Sequence, residues 1–334
     1  MRIAVCYNQT PEYSNHGEVR DRIADRGSYD QAKAVLQALH QLGHQPELIS
    51  LADNLMDFLR KIERFSPDLA FNLCEGFWGN AHLEMNVAGI FELLHLPSSG
   101  SPPLCLGLTQ DKLRSKSLLL QHGLPTPPFC VAKLGNGHHD TAGLNYPLIV
   151  KPPFEDASQG IEALSVIDTS QQLKQRIQFI HDVYRQPALI EEFIDGREIN
   201  VVILGSENLT VLPPAEITFA PELSRKIVCF ESKWAPQSLA YRGTIPVCPA
   251  TITSAETRLV NNVGQQAYKL FGCRDYARVD IRLRNQIPYI LEVNANPDIS
   301  PDAGLACAAG VSGLTYNQLI EQILESASQR KEPY

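Results

Sequence analysis

Arg278, Asp280 and Arg282 alternate with Val279, Ile281 and Leu283 in RVDIRL, and Glu292 and Asn294 alternate in the same way in LEVN. Period-two alternation of charged and apolar residues is the pattern of a strand with one polar and one dry face. A short turn placed at Arg284 to Gln286 makes the two stretches the arms of one hairpin. If that loop holds an odd number of residues, directly opposed positions have matching parity, so Arg278, Asp280, Glu292 and Asn294 are expected on one surface. Two carboxylates and an amide oxygen suit a hard cation such as Mg²⁺, which takes oxygen ligands, keeps several waters and is usually shared with nucleotide phosphates. A solvated edge hairpin would show the same alternation, so the pattern needs a phosphate-binding device beside it.

The common devices are missing: the chain has no G-x-x-x-x-G-K-[ST] and no G-x-G-x-x-G after a strand. LIVKPPFEDASQGI offers another. Lys151 ends an expected strand, and a turn from Glu155 to Gly160 can fold backbone N–H groups over phosphate oxygens. Taken alone, a surface loop with a snorkelling lysine would look the same.

These residues need elements to hold them. RIAVCYN reads as a buried parallel strand, Tyr29 to Gly43 has helical periodicity with Gly43 as its stop, and QPELISL is the next strand. A helix through Leu55, Phe58, Leu59 and Ile62 leads to the strand in DLAFNLCEG, which makes a doubly wound α/β unit ending near LPSSGSP. TQDKLRSKSLLLQHGLPTPPF is expected as a helix capped by Thr109 and stopped at Gly123, then a Pro-rich linker. The strand YPLIVKPPF, a polar helix near Ser170 to Tyr184 and the strand PALIEEFI follow, and a strand-rich region is expected from Arg197 to Asn294.

Composition bounds the function. The 334 residues, 44% hydrophobic and 20% charged, can bury a large core in two or three domains. A net charge of -8 without a basic stretch argues against nucleic acid or an anionic membrane as partner and toward small molecules. Eight cysteines lack paired spacings, the chain opens at once as a strand, and no apolar run approaches the ~20 residues that cross a bilayer. Reduced thiols and a cytoplasmic location are the expectation.

Five stretches, DKLRSKSLLLQHGLPTPPF, PLIVKPPFEDASQGI, LIEEFIDGREINVVILG, RVDIRL and LEVNANPDISPDAG, resemble in order and spacing the ATP-grasp ligases, most closely their D-alanine–D-alanine ligase branch. FNLCEG and LPSSGS extend the likeness in outline to the N-terminal unit. The resemblance implies an ATP-grasp fold of class α/β. A doubly wound α/β domain would span residues 1–105, a small central α+β domain 106–192 and a C-terminal α+β domain 193–334, with ATP between the last two.

It also implies roles, residue by residue. Lys112 and Lys151 resemble the lysines that hold ATP phosphates as mobile point charges. Glu191, Glu192, Phe193 and Ile194 resemble the hinge whose backbone and first carboxylate meet adenine, and Glu198 the acceptor for ribose hydroxyls. Asp280, Glu292 and Asn294 match the ligands of Mg²⁺, expected as two ions. Arg278 matches the arginine that stabilises charge at the reacting centre, and Lys233 in CFESKW a loop lysine near the γ-phosphate. Ser158 joins the catalytic group, and Gly160 the ATP-binding loop. A solvated helix lysine at 112, or an ordinary strand-end charge at 191 or 192, would leave the same sequence. Glu75, Glu84, Trp234, Asp302, Ala303 and Gly304 fall toward the substrates.

The departures from the resemblance gather on that substrate side. Ala157 stands where the branch usually has the first of two serines, Trp234 where it has tyrosine, Asp302, Ala303 and Gly304 where a Ser-Leu pair grips the second alanine, and Glu75-Gly76 where it has His-Gly. The implied reaction is an ATP- and Mg²⁺-dependent union of a carboxylate, or a vinylogous equivalent, with an amino acid, with D-alanine not expected as substrate. An authentic D-alanine–D-alanine ligase, a ligase adding an amino acid to a mycosporine core, and a nucleotide-binding regulator without turnover are the alternatives. The expected partners are a small-molecule acid or enone donor and an amino acid acceptor, in a homodimer.

Overall fold

The computed structural model describes residues 1–9, 18, 27–135, 141 and 143–330. In the first part of the chain β1 (Arg2–Asn8), α1 (Gly27–Gln41), β2 (Gln45–Leu51), α2 (Leu55–Phe65), β3 (Leu69–Leu73) and α3 (Glu84–Leu93) form a three-stranded parallel sheet in the order β2-β1-β3. All five residues of β3 are buried, as expected of a parallel strand covered on both faces. Phe58, Ile62, Val87 and Phe91 of α2 and α3 cover one face, and Val35 and Leu39 of α1 the other.

Two short helices follow, α4 (Pro103–Gln110) and α5 (Lys112–Gln121). The expected cap at Thr109 is corrected: that hydroxyl turns back to the Cys105 and Leu106 carbonyls, and Asp111 caps α5 by accepting from the Leu113 and Arg114 N–H groups at 3.0 Å. A carboxylate at a helix N-terminus satisfies free N–H groups and opposes the macrodipole, so it outcompetes a hydroxyl that already has a carbonyl within its own helix. Gly123, at φ 69, supplies the expected stop.

A second sheet contains β4 (Phe129–Ala132), β5 (Leu148–Lys151), β6 (Val166–Ile167) and β7 (Ala188–Glu192) in the antiparallel order β4-β7-β5-β6, with Leu173 and Ile177 of α6 (Ser170–Phe179) packed on it. The third sheet holds β8 (Arg197–Leu204), β9 (Thr210–Val211), β10 (Ala215–Phe219), β11 (Thr244–Val247), β12 (Tyr276–Arg284) and β13 (Ile287–Asn294). Its order is β11-β10-β8-β12-β13, with β9 beside β8. Short helices α7 (Phe230–Trp234) and α8 (Leu239–Gly243) interrupt it.

The region expected to be strand-rich also contains α9 (Ser254–Phe271). Its signals were present in the sequence: a Thr253–Glu256 capping box, apolar residues at Val260, Val263, Ala267 and Phe271, and Gly272 in the left-handed region as stop. That stripe packs on Ile199, Val201, Val279 and Ile281, the dry face of the third sheet, where each fully buried aliphatic side chain contributes roughly 1.5–3 kcal/mol. Cys105, Leu106 and Leu119 of α4 and α5 share this core. The last helices, α10 (Gly304–Val311) and α11 (Tyr316–Gln329), return to cover the first sheet beside α1 through Leu305, Leu319 and Ile323.

The β12–β13 hairpin departs from expectation in an instructive way. Its turn is two residues long, Asn285 and Gln286 at φ 51 and 60, with Arg284 paired to Ile287. This is the twist-matched form for a tight hairpin, and its even loop would have paired Asp280 out of phase with Glu292. A β-bulge between Asp280 and Ile281 resets the register: Ile281 pairs with Ile290 while Asp280 pairs with Glu292 and Arg278 with Asn294, leaving Leu291 as the extra residue. The expected convergence is therefore present, produced by a bulge in place of an odd loop.

Ile281 is fully buried between α9 and the sheet. Ile281→Ala should cost about 2–5 kcal/mol in urea unfolding; a loss below ~1 kcal/mol would mean that this face is not the packed core.

Candidate active site

The polar face of the third sheet looks toward the second sheet across a cavity of ≈ 260 Å³. Of the residues singled out in the sequence, Lys151, Ser158, Glu191, Glu192, Phe193, Ile194, Glu198, Lys233, Arg278, Asp280, Glu292 and Gly304 line it. Ile149, Ile161, Ile217, Ile227 and Leu291 supply its apolar wall, and Asn200 and Arg282 add further polar groups. An apolar slot with a few convergent charges is the usual form of a small-molecule site.

Asp280 and Glu292 stand directly opposite each other on β12 and β13. The Arg278 guanidinium binds Asp280 through both oxygens, at 2.7 and 2.9 Å, and Asn294 Nδ2 donates to Asp280 Oδ2 at 3.0 Å. Asn200 of β8, which the sequence reading passed over, donates to Asp280 Oδ1 at 2.7 Å. Burial pushes the Glu292 carboxyl up, but Lys112, Lys151, Lys233 and Arg278 outweigh it and hold the pKa down at about 2. Ionised carboxylate oxygens with an amide beside them fit a hard divalent cation, so this donor set suits Mg²⁺. Among the described residues no group of three His, Cys, Asp or Glu side chains offers another metal site.

The lysines are held by buried carboxylates. Lys151 Nζ lies 2.6 Å from Glu191 Oε2, and Lys116 of α5 pairs with the other Glu191 oxygen. Burial alone would raise the Glu191 pKa, but the two lysines lower it. Burial depresses the Lys116 ammonium against the pull of Glu191. Lys116 had no assigned role in the sequence, because an i+4 lysine on a helix reads as solvated until its partner is known. Lys112 stays outside the cavity lining, buried, with Nζ 2.6 Å from the Glu155 carbonyl and 3.6 Å from Glu292 Oε2. Burial lowers its pKa, but Glu292 and the neighbouring carboxylates more than offset that and leave it raised. Glu192 accepts from Asn145 through backbone and side chain at 2.9 Å.

The turn after Lys151 is wound tightly. Ala157 and Ser158 sit at φ 51 and 62, a region that costs a non-glycine residue about 1–3 kcal/mol and that gathers at ligand-holding sites. Gly160, at φ 68, allows no side chain: a Cβ there would meet Pro152 Cγ at 2.8 Å. The segment leading into α7 clamps this turn. Ser158 Oγ donates to the Val228 carbonyl and Trp234 Nε1 to the Ala157 carbonyl, both at 3.2 Å, and Phe230 N donates to the Ile161 carbonyl at 2.9 Å. Lys233 is brought over the cavity by the same segment.

The substrate-side residues are less concentrated. Gly304 reaches the cavity, whereas Asp302 is exposed and neither it nor Ala303 lines the wall. Glu75 is exposed, with its backbone N–H on Asn8 Oδ1 at 2.7 Å. Glu84 is buried, which pushes its carboxyl well up, and it accepts from Asn296 Nδ2 at 3.0 Å. It thereby ties the loop after β13 to the start of α3.

A family model described as "D-ala D-ala ligase C-terminus" matches residues 118–325. The D-alanine–D-alanine ligase of Syntrophotalea carbinolica is 31% identical over 301 residues, covering 90% of this chain and 90% of that protein. An uncharacterised protein of Sinorhizobium fredii, y4sG, is 36% identical over 338 residues, covering 98% of this chain and 93% of that one. The Bacillus anthracis D-alanine–D-alanine ligase solved with ATP superposes at a TM-score of 0.77 over 98% of this chain and 97% of that one, and at 24% identity that likeness speaks for the ATP-grasp fold alone. By sequence identity, family match and fold, the chain belongs to the D-alanine–D-alanine ligase family of ATP-grasp enzymes, ATP-dependent ligases that join a carboxylate to an amine.

Proposed function

We propose that this protein uses ATP and Mg²⁺ to phosphorylate a carboxylate, or a vinylogous carboxylate, and joins the activated carbon to the amine of an amino acid, releasing ADP and phosphate. The observation that carries the reading is the opposition of Asp280 and Glu292, with Lys112, Lys151, Lys233 and Arg278 acting on Glu292. In this reading the ranges 1–105, 106–192 and 193–334 act as three domains, with the nucleotide between the last two, and the enzyme is a homodimer.

Each group then has a task. Ile149, Phe193 and Ile194 receive the adenine, Glu198 the sugar, and Lys151, with the wound turn at Ala157 to Gly160, the phosphates. Asp280, Glu292 and Asn294 would hold Mg²⁺, which when bound neutralises phosphate charge during transfer. A carboxylate is a poor electrophile. Its oxygen attacks the γ-phosphorus and ADP leaves; the amine nitrogen then attacks the acyl carbon, the C–N bond forms, and phosphate departs as the amine loses a proton. Arg278, held in plane by Asp280, supports the negative oxygen of the tetrahedral intermediate.

The substrate side favours something other than D-alanine. Trp234 is committed to the Ala157 carbonyl, so the two substituted positions act as one unit at the turn that follows Lys151. Asp302 is exposed, so its charge is screened and acts on an acceptor only where the 302–304 loop meets it. The discrimination at Asp302 is therefore smaller than a buried carboxylate would give.

A screen of amino acids and small acids for ATP-dependent phosphate release, with product masses, tests the reading; release without any condensed product would refute it. Glu292→Gln should lose turnover with an unchanged thermal melt, and near-normal Mg²⁺-dependent ATP consumption would remove Glu292 from the metal site. With millimolar D-alanine the enzyme should form little dipeptide. Formation at ~1 s⁻¹ or faster, within the ordinary enzymatic range, would show that the substitutions at 75, 157, 234 and 302 leave D-alanine acceptable.

A further inference from the structure

Arg282 is a charged residue that the reaction does not call for, yet it is buried at the sugar end of the cavity. It faces Glu198 across the β12–β8 register and donates Nη2 to Glu198 Oε2 at 2.5 Å. The same guanidinium donates to the Lys226 carbonyl at 2.5 Å and to the Gly196 carbonyl at 3.0 Å. Its carbon lies 5.5 Å from the ring centroids of both Phe193 and Phe219, so an aromatic ring on each of two elements braces it. Glu198 in turn borders two spaces: the cavity already described and an outer, more open one of ≈ 440 Å³ that Phe219 and Lys226 also line.

A buried carboxylate without a cation tends to neutralise, and one without a fixed partner rotates. Burial leaves the Glu198 carboxyl raised, the Arg282 charge opposes that rise, and a planar guanidinium held at both edges stops the carboxylate from rotating. Among the described residues Arg282 is the hydrogen-bond donor to Glu198, and it uses Oε2, which leaves Oε1 to accept from a hydroxyl.

Resting on the reading that a nucleotide occupies the cavity, we propose that Arg282 is the positioning residue that makes this site discriminate its nucleotide's sugar. It holds Glu198 in one orientation, aimed at a ribose hydroxyl, and through Phe193 it couples that aim to the adenine hinge. The sequence carries this only as alternation: Arg282 shares the polar face with Asp280, and nothing local shows that its partner is Glu198, far back in the chain.

Calorimetric titration of the full-length protein with ATP, 2′-deoxy-ATP and 3′-deoxy-ATP in the presence of Mg²⁺ tests it. The wild type should bind ATP about tenfold or more tightly than the weaker of the two deoxy nucleotides, the scale of one charge-assisted hydrogen bond. In Arg282→Met that preference should fall below about threefold, Glu198→Gln should do the same, and the double variant should lose no more than either single one, since coupled partners are not additive. An unchanged preference in folded Arg282→Met, additive losses in the double variant, or a wild type indifferent to the sugar would each overturn the proposal. Should Arg282→Met fail to fold, Arg282→Lys, which keeps the charge without the fork, should show an intermediate preference, and wild-type selectivity there would overturn it as well. A wild type that binds no ATP would instead remove the nucleotide reading of the cavity, and this inference with it.

Discussion

The buried Glu191 carboxylate, between Lys116 and Lys151, is the interaction on which the arrangement of the molecule rests. Glu191 is the penultimate residue of β7 and Lys151 ends β5, so both belong to the second sheet. Lys116 comes from α5, donates to Thr126 Oγ1 at 2.9 Å and to the Leu291 carbonyl at 3.3 Å, and Thr126 in turn donates to the Ile290 carbonyl at 2.8 Å. The bulged end of β13 is thus joined to the second sheet by one chain of charged and polar contacts. Such a triad adds little net stability over apolar packing, but removing Glu191 would leave two buried lysines without their shared carboxylate, at about 3–5 kcal/mol. Its value lies in registry, because it fixes where the β13 segment carrying Glu292 sits relative to Lys151.

Around that hub the site solves a charge problem. Several cations converge on one space, and each is kept soluble in the protein by a carboxylate or carbonyl close at hand: Lys112 by Glu292 and the Glu155 carbonyl, Arg278 by Asp280, Arg282 by Glu198. The surrounding lysines and Arg278 keep the Glu292 carboxyl ionised, its pKa held down at about 2. The field available to an incoming anion is therefore preorganised, which is the condition under which electrostatics contributes most to a reaction.

The wound turn after Lys151 shows the same economy of means. Left-handed Ala157 and Ser158 persist because the α7 segment holds both, Ser158 through the Val228 carbonyl and Ala157 through the Trp234 indole. Apolar packing of Val166, Ile227 and Cys229 backs this turn. Ala157 and Trp234, two of the positions expected to depart from the D-alanine ligases, are thus mechanically linked.

Local order was decided within short windows of sequence. The run RIAVCYN, the period of α2, the stop at Gly123 and the polar alternation of RVDIRL depend on neighbouring residues and on backbone sterics, and they folded as their pattern required. The same windows carried Lys151, Asp280, Glu292 and Asn294 as groups with a chemical purpose, and α9 could have been found in them through its cap and its apolar stripe. Only the tertiary structure decided the rest. Whether Glu292 faces Asp280 depended on a bulge at Leu291 that no alternation announces, since one extra residue inverts every later side chain. The partners Asn200 for Asp280, Lys116 for Glu191 and Arg282 for Glu198 lie far apart in the chain. A charge in a sequence has no partner until folding removes the water that would otherwise serve as one, and that selection is made by the closed sheet and not by the neighbouring residues.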